Sequence, residues 1–214
     1  GTEPGSLLAA FSQGFMLGIY ILGFEYTLSH TIFAIFIGLS LVAGYALLGA
    51  CWLLLKTEGN LFRRAARWAY GSLWLTVLGI AAVSIATPLV STRIFEKWFV
   101  LPELLWLLPI PALTTICFFA CERHLKKLLT GIHEKIWLPF ACAISLFVLA
   151  FIGLGYSLFP YLVVDKIRFD QAASSPEALF IMFIGVAITL PAILFYTAYS
   201  YRVFWGKATD LSYD

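Results

Sequence analysis

Histidine, cysteine and acidic side chains are the residues of this sequence that could together hold a metal ion. Cys117 and Cys121 lie four residues apart on one predicted helix face, and Glu122 and His124 follow directly. Four such side chains could in principle bind zinc, but their spacing matches none of the usual zinc patterns. We therefore expect the cysteines to be apolar packing residues instead of metal ligands.

Heme binding would require an axial His or Met at a suitable depth between helices. His30 stands just before an apolar segment, and His124 and His133 stand in a basic connection. Met16 and Met182 lie within apolar segments, where a lone Met usually packs. The sequence thus predicts no heme ligand in this chain.

The composition indicates that most of the chain lies in lipid. Of the 214 residues, 61% are hydrophobic and 12% are charged, and the mean hydropathy is +0.91. A soluble domain has about 25% charged residues, so this chain has too few to cover a water-facing surface. A net charge of +2 is also too small to suggest nucleic-acid binding.

Six segments are long and apolar enough to cross a hydrocarbon core of about 30 Å. The fold class is therefore all-α: a polytopic transmembrane helical bundle that forms a single domain over residues 1–214. The six predicted spans are roughly 7–24, 32–55, 70–90, 104–121, 137–158 and 179–201.

Charged residues fall between these spans or at their ends. All twelve acidic and all fourteen basic residues follow this rule. Because coupling sites of ion-driven transporters usually lie near the midplane, the pattern argues against a self-contained ion-coupled transporter.

The basic residues also predict the topology. With alternating spans, ten Lys and Arg residues fall on one side of the membrane and four on the other. The positive-inside rule assigns the richer side to the cytoplasm. Both ends of the chain are then cytoplasmic, and the connections 25–31, 91–103 and 159–178 face outward.

Small and polar residues within the spans predict close helix packing. Gly14 and Gly18 form a small-xxx-small pair, and Gly44 and Gly49 lie on the second span. Such residues let helices approach closely in lipid, and Gln13 is suited to a hydrogen bond between helices.

Local signals predict where helices bend, begin and end. Pro109, Pro111 and Pro191 should kink the fourth and sixth spans. The sequence Ser174–Glu177 has a Ser cap, an early Pro and an acid in the first turn, which predicts a helix start. The basic segment 122–136 is interpreted mainly as a solvated connection, with a partial amphipathic helix at the membrane interface as the alternative.

Three stretches, in order, carry a family resemblance. They are AAFSQGFMLGIYILGF at 9–24, GYALLGACWLLLKTEG running into NLFRRAARWA at 44–69, and the loop and helix from GYSLFPY to VFWGK at 155–207. Together they resemble subunit II of the cytochrome bd-type quinol oxidases, over nearly the whole chain.

The resemblance implies an accessory subunit of the bacterial inner membrane that has no heme of its own. It implies a partner, subunit I, that holds hemes b and d and oxidises quinol while oxygen is reduced to water. Enzyme activity would then belong to the complex. Some relatives hold a structural quinone, and membrane lipid is the other expected contact.

The resemblance covers the C-terminal portion of that family, about six of its nine helices. We therefore expect the sequence, which begins with Gly1, to be a fragment of a longer subunit. It departs from the family at Val164-Asp165-Lys166, where relatives often have a proline pair.

Two interpretations stay open at this stage. Lys56 and Glu58, at the end of the second span, are interpreted mainly as charges that fix the topology at the cytoplasmic face. A role in proton entry is the alternative. For the whole chain, the alternative is a helical permease or channel half for a small solute. A polar stripe along several spans would favour that alternative, and the sequence shows only scattered single Ser and Thr residues.

Overall fold

The computed structural model describes residues 3–101, 103–132 and 135–203, which form a helical bundle with one small β-hairpin. His133 and the tail 204–214 lie outside the described residues. The elements are α1 (Glu3–Ile21), α2 (Leu28–Lys56), α3 (Gly59–Val90), α4 (Thr92–Phe99), α5 (Glu103–Leu107), α6 (Pro109–Leu129), α7 (Leu138–Leu158), β1 (Tyr161–Val163), β2 (Ile167–Arg168), α8 (Phe169–Ala172) and α9 (Pro176–Val203).

The all-α transmembrane fold is confirmed. Within the described ranges, five helices are long and apolar enough to cross a membrane: Pro4–Ile21 of α1, then α2, α3, α7 and α9. They correspond to five of the six predicted spans. The helix start predicted at Ser174–Glu177 is also confirmed, since α9 begins at Pro176 and the Ala178 N–H donates to Ser175 Oγ at 3.4 Å.

The fourth predicted span, 104–121, falls on two helices. Pro109 and Pro111 have no N–H to continue the backbone ladder, and the helix breaks at Leu108 between α5 and α6. The apolar part of α6 ends at Cys121, and charged residues occupy its last two turns. That this stretch crosses the membrane stays a prediction.

Two stretches interpreted as connections are helical instead. Helix α6 continues to Leu129 because Leu125 and Leu128 are buried in the core of the bundle, so the interpretation of 122–136 as a solvated connection is wrong for 122–129. Helix α3 begins at Gly59, and only Thr57 and Glu58 separate it from the end of α2. Gly59 has φ +63°, a left-handed conformation that favours glycine at this tight turn.

The bundle has two unlike halves. We call the end with the α2–α3 turn and the α6–α7 connection the basic end, and the opposite end, with α4 and β1–β2, the hairpin end. A continuous apolar core fills the basic half, where α2, α3, α6 and α7 meet. Ala65, Ala66 and Ala69 of α3 are fully buried there, so their small side chains allow the close approach.

Helices α1 and α9 lie outside this four-helix core. Helix α1 packs mainly along α2. Helix α9 is exposed along nearly its whole length, and an edge-on contact between the rings of Trp52 and Tyr201 ties its last turn to α2.

Candidate functional site: an apolar cavity and its polar cap

A cavity of about 870 Å³ occupies the hairpin half of the bundle. Its walls come from α1, α2, α3, α6 and α7, and residues of α4 and the β-hairpin region close it toward the hairpin end. The volume is in the range of small-molecule and cofactor sites in proteins. The cavity is therefore the candidate ligand site of the described residues.

The cavity wall carries no charged side chain among the described residues. Several of its hydroxyl groups are used locally: Ser40 donates to Phe36 O and Thr76 to Ser72 O, each at 2.8 Å, and Thr87 donates to Val83 O at 2.6 Å. A hydroxyl that donates to its own helix offers no free proton to a ligand. The lining thus suits an apolar chain better than a polar solute.

Helix α4 and the end of α7 form a polar cap over the cavity. Lys97 Nζ donates to Tyr156 O at 2.7 Å and to Phe159 O at 3.1 Å, and it lies 4.1 Å from the centre of the Tyr156 ring. Trp98 Nε1 donates to Ser157 Oγ at 2.9 Å. Because the last carbonyls of a helix have no partner within it and carry partial negative charge, a cation is favourable there.

An ion pair joins the start of α4 to the hairpin. Arg93 Nε lies 3.0 Å from Asp165 Oδ1, and the guanidinium carbon lies 4.5 Å from the centre of the Tyr161 ring. Partial burial would raise the pKa of the Asp165 carboxyl. The nearby Ser91 hydroxyl and the Arg93 charge outweigh that effect, so the pKa lies below its ordinary value.

The turn after α1 also joins the cap. Lys166 Nζ donates to Gly23 O at 2.8 Å, and the Tyr20 hydroxyl donates to Leu162 O. The three predicted outward connections, 25–31, 91–103 and 159–178, therefore belong to one end of the molecule, as their alternation requires. The membrane side of that end stays a prediction.

The structure places Gly14 and Gly18 in the α1–α2 contact. A Cβ built on Gly14 would lie 2.8 Å from Gly38 Cα, and one on Gly18 would lie 2.6 Å from Ala34 Cα. Backbone atoms cannot move aside as a side-chain tip can, so both positions need glycine for this approach. Gln13 contributes to the same contact, since Tyr45 Oη donates to Gln13 Oε1 at 3.0 Å.

The two glycines predicted on the second span have different surroundings. A Cβ on Gly44 would lie 2.6 Å from Phe147 Cζ at the cavity wall. Gly49 has nothing within 4 Å of an added Cβ among the described residues, so it makes no close helix contact there, and packing against a partner stays a prediction. It lies one turn further along α2, on the exposed side of the helix.

Lys56 and Glu58 lie at the basic end and do not line the cavity. Lys56 ends α2, with Nζ 5.0 Å from the centre of the Trp52 ring. Thr57 caps α2 by donating through Oγ1 to Leu53 O at 2.7 Å, and Glu58 is the N-cap residue of α3. The structure does not bring this pair to the cavity.

The metal and heme candidates stay apart from the cavity as well. His30 Nδ1 lies 3.0 Å from Glu25 O, and His124 Nδ1 lies 2.9 Å from Ala120 O. No group of three or more potential metal ligands comes together in the described ranges. Cys121 is buried in the apolar core of the basic half, as the packing interpretation expects.

Sequence reasoning missed the cavity and the cap. A cavity leaves no local pattern, because its walls come from residues far apart in sequence. The cap did leave a local pattern in the sequence. Arg93 and Lys97 are two cations four residues apart on α4, a short helix between two apolar spans. That spacing places both on one helix face, which could have suggested a shared acceptor.

Comparison with known proteins identifies the family. No curated protein matches the sequence. The family model described as cytochrome bd terminal oxidase subunit II matches residues 3–204. The match spans nearly the whole chain, so this protein belongs to the cytochrome bd terminal oxidase subunit II family.

Proposed function

We propose that this chain is the heme-free accessory subunit of a bd-type quinol oxidase and stabilises the heme-bearing subunit I. The observation that carries the proposal is the family match over residues 3–204. Quinol oxidation and oxygen reduction then take place in the complex. Hemes b and d belong to subunit I in this proposal.

The histidine positions support the heme-free role. His30 and His124 both lie near helix ends and contact backbone carbonyl oxygens. A buried heme needs its axial ligand at depth between helices, where these residues do not lie. His133 lies outside the described residues.

The topology supports an inner-membrane protein with both chain ends in the cytoplasm. The basic end carries ten of the fourteen Lys and Arg residues, if the tail is counted with it. The positive-inside rule therefore assigns the basic end to the cytoplasm. Lys56 and Glu58 would lie on that side, where they stay candidates for proton entry.

The cavity is the place we propose for a structural quinone. Its apolar wall fits an isoprenoid chain, and Trp98 and Tyr161 at the hairpin end are the ring-bearing residues that would flank the head group. The same wall argues against the alternative of a permease for a polar solute, because it is mostly apolar and carries no charged side chain among the described residues.

Co-purification of the full-length protein, followed by a reduced-minus-oxidised spectrum, tests the oxidase proposal. We expect a heme-bearing partner in the preparation, with b- and d-type heme signals that follow the partner. An intact preparation without any heme protein would overturn the proposal. Stoichiometric heme on the chain after the partner is removed would overturn the heme-free role alone.

A further inference from the structure

Three arginines on the first turns of α3 form an exposed cationic face. Arg63, Arg64 and Arg67 are exposed, while Phe62 and Ala66 on the opposite face are buried in the core. None of the three arginines has an ion-pair partner among the described residues. The core contacts therefore fix the orientation of α3 and hold these charges outward.

The neighbouring helix α6 does not supply the missing counter-charge. Glu122 is the acidic residue that faces α3 there, and its carboxylate already pairs with Lys126 and accepts a hydrogen bond from Tyr70 at 3.5 Å. The exposed Arg123 adds a further positive charge to this end of α6.

Helix geometry places the arginines at the depth of the lipid head groups. Helix α3 runs unbroken from Gly59 to Val90, so Arg67 and Arg63 lie about 4.5 Å and about 10 Å before Tyr70, where the apolar span begins. Each head-group region is about 5–8 Å thick. The guanidinium groups can therefore reach phosphate without leaving the interface.

Trp68 marks the same boundary. Its side chain is 48% exposed, and the Arg64 guanidinium lies 5.1 Å from the centre of its ring. An exposed indole at this position is typical of a residue at the membrane interface. A guanidinium that stacks on the ring keeps its N–H groups directed to the side, where phosphate oxygens can accept them.

From this arrangement we infer that Arg63, Arg64 and Arg67 bind the phosphate of an anionic phospholipid in the leaflet at the basic end. Guanidinium groups pair with phosphate through two parallel hydrogen bonds, and three of them on one helix face can surround one head group. The inference does not depend on the oxidase function. It requires only that α3 crosses a bilayer.

Native mass spectrometry of the full-length protein, with its co-purifying subunits, tests this inference. The probes are phosphatidylglycerol and phosphatidylcholine with the same acyl chains. We expect the wild type to prefer phosphatidylglycerol and the variant R63Q/R64Q/R67Q to lose that preference, by about fivefold per arginine. The variant R63K/R64K/R67K should keep much of it, because the charge remains.

Arg168→Gln is the matched control, since it removes one cation from the hairpin end, where Arg168 pairs with Asp170. It should leave the lipid preference unchanged. An unchanged preference in R63Q/R64Q/R67Q would overturn the inference. Loss of a protein subunit from that variant while the lipid preference remains would also overturn it, because the arginines would then contact protein.

Should the glutamine variant fail to fold, the wild type still decides the question. Added salt screens exposed charges, so the preference for phosphatidylglycerol should fall as ionic strength rises. A preference that does not change with salt would contradict binding by these arginines.

Discussion

The two ends of the bundle differ in how fully their basic side chains are paired within the chain. At the hairpin end, every basic side chain contacts an acceptor of the chain itself: Arg93, Lys97, Lys166 and Arg168 all do so. At the basic end, Arg63 and Arg67 have no ion-pair partner among the described residues. One end is closed by its own polar contacts, and the other presents charge to its surroundings.

The apolar interior differs between the two halves in a related way. In the basic half, one continuous core joins four helices, and Leu73, Leu125 and Leu146 are fully buried in it. In the hairpin half, a small cluster centred on Ile94 and the cap surround a cavity of about 870 Å³. The basic half is thus held by packing, and the hairpin half by a few specific contacts.

The largest effect is expected from removing core volume in the basic half. Leu125→Ala leaves a hole between α3 and α6, and we expect it to lower the free energy of unfolding by about 2–4 kcal/mol. Leu149→Ala, at the cavity wall, should cost clearly less, because one side of that residue already has no packing partner.

Thermal unfolding of both variants in the same detergent measures the difference. A Leu149→Ala effect equal to that of Leu125→Ala would mean that the two halves are packed equally well. The contrast between the halves would then be wrong.

A smaller effect is expected at the α1–α2 contact. Gly18→Ala would place a Cβ 2.6 Å from Ala34 Cα, so the two helices must move apart. Such overpacking costs about 1–3 kcal/mol. Gly49→Ala is the matched control on the same helix pair, because its Cβ would meet nothing within 4 Å.

The measurement is the apparent stability of the two variants, together with the yield of assembled protein. Gly18→Ala should lower both, and Gly49→Ala should not lower stability, because alanine favours the helix and meets no neighbouring atom. Loss of assembly in Gly49→Ala without loss of stability would indicate that this exposed glycine packs against another subunit.

The sequence predicted the elements better than their ends. Apolar length and the position of Ser175 were enough to find α2, α7 and the start of α9. Hydropathy could not show that 59–69 and 122–129 are helical, because both stretches contain several charged residues. Their buried faces can be recognised only when the helices that pack against them are known. Here Phe62 and Leu125 are both buried in the core shared by α2, α3, α6 and α7.

The candidate site was predicted unevenly for a similar reason. Gly14 and Gly18 form a local pattern with a known use in lipid, and the structure brings both against α2. Gly49 is also a glycine, but it lies on the exposed side of α2. The cap depends on contacts such as Lys97 with Tyr156, about sixty residues apart, and no local pattern encodes that pairing.

The smallest effect concerns the pH dependence of the cap. The Asp165 pKa is lower in the folded protein than its ordinary value, so the carboxylate stabilises the fold above that ordinary value and the contribution disappears as the pH falls through the folded-state pKa. Since both partners are partly exposed, solvent screening limits the contribution to under about 1 kcal/mol.

Asp165→Asn should therefore lower the melting temperature slightly at neutral pH, and the difference from the wild type should disappear as the pH falls through the lowered folded-state pKa and the carboxyl takes up its proton. Thermal melts of both proteins across this pH range provide the measurement, with Arg63→Gln as the control from the basic end. Because Arg63 has no ion-pair partner in the described chain, its removal should not change the acid dependence of the melting temperature. If Asp165→Asn and the wild type differ equally at all pH values, the carboxylate charge does not hold the cap, and the hairpin end depends on packing as the basic end does.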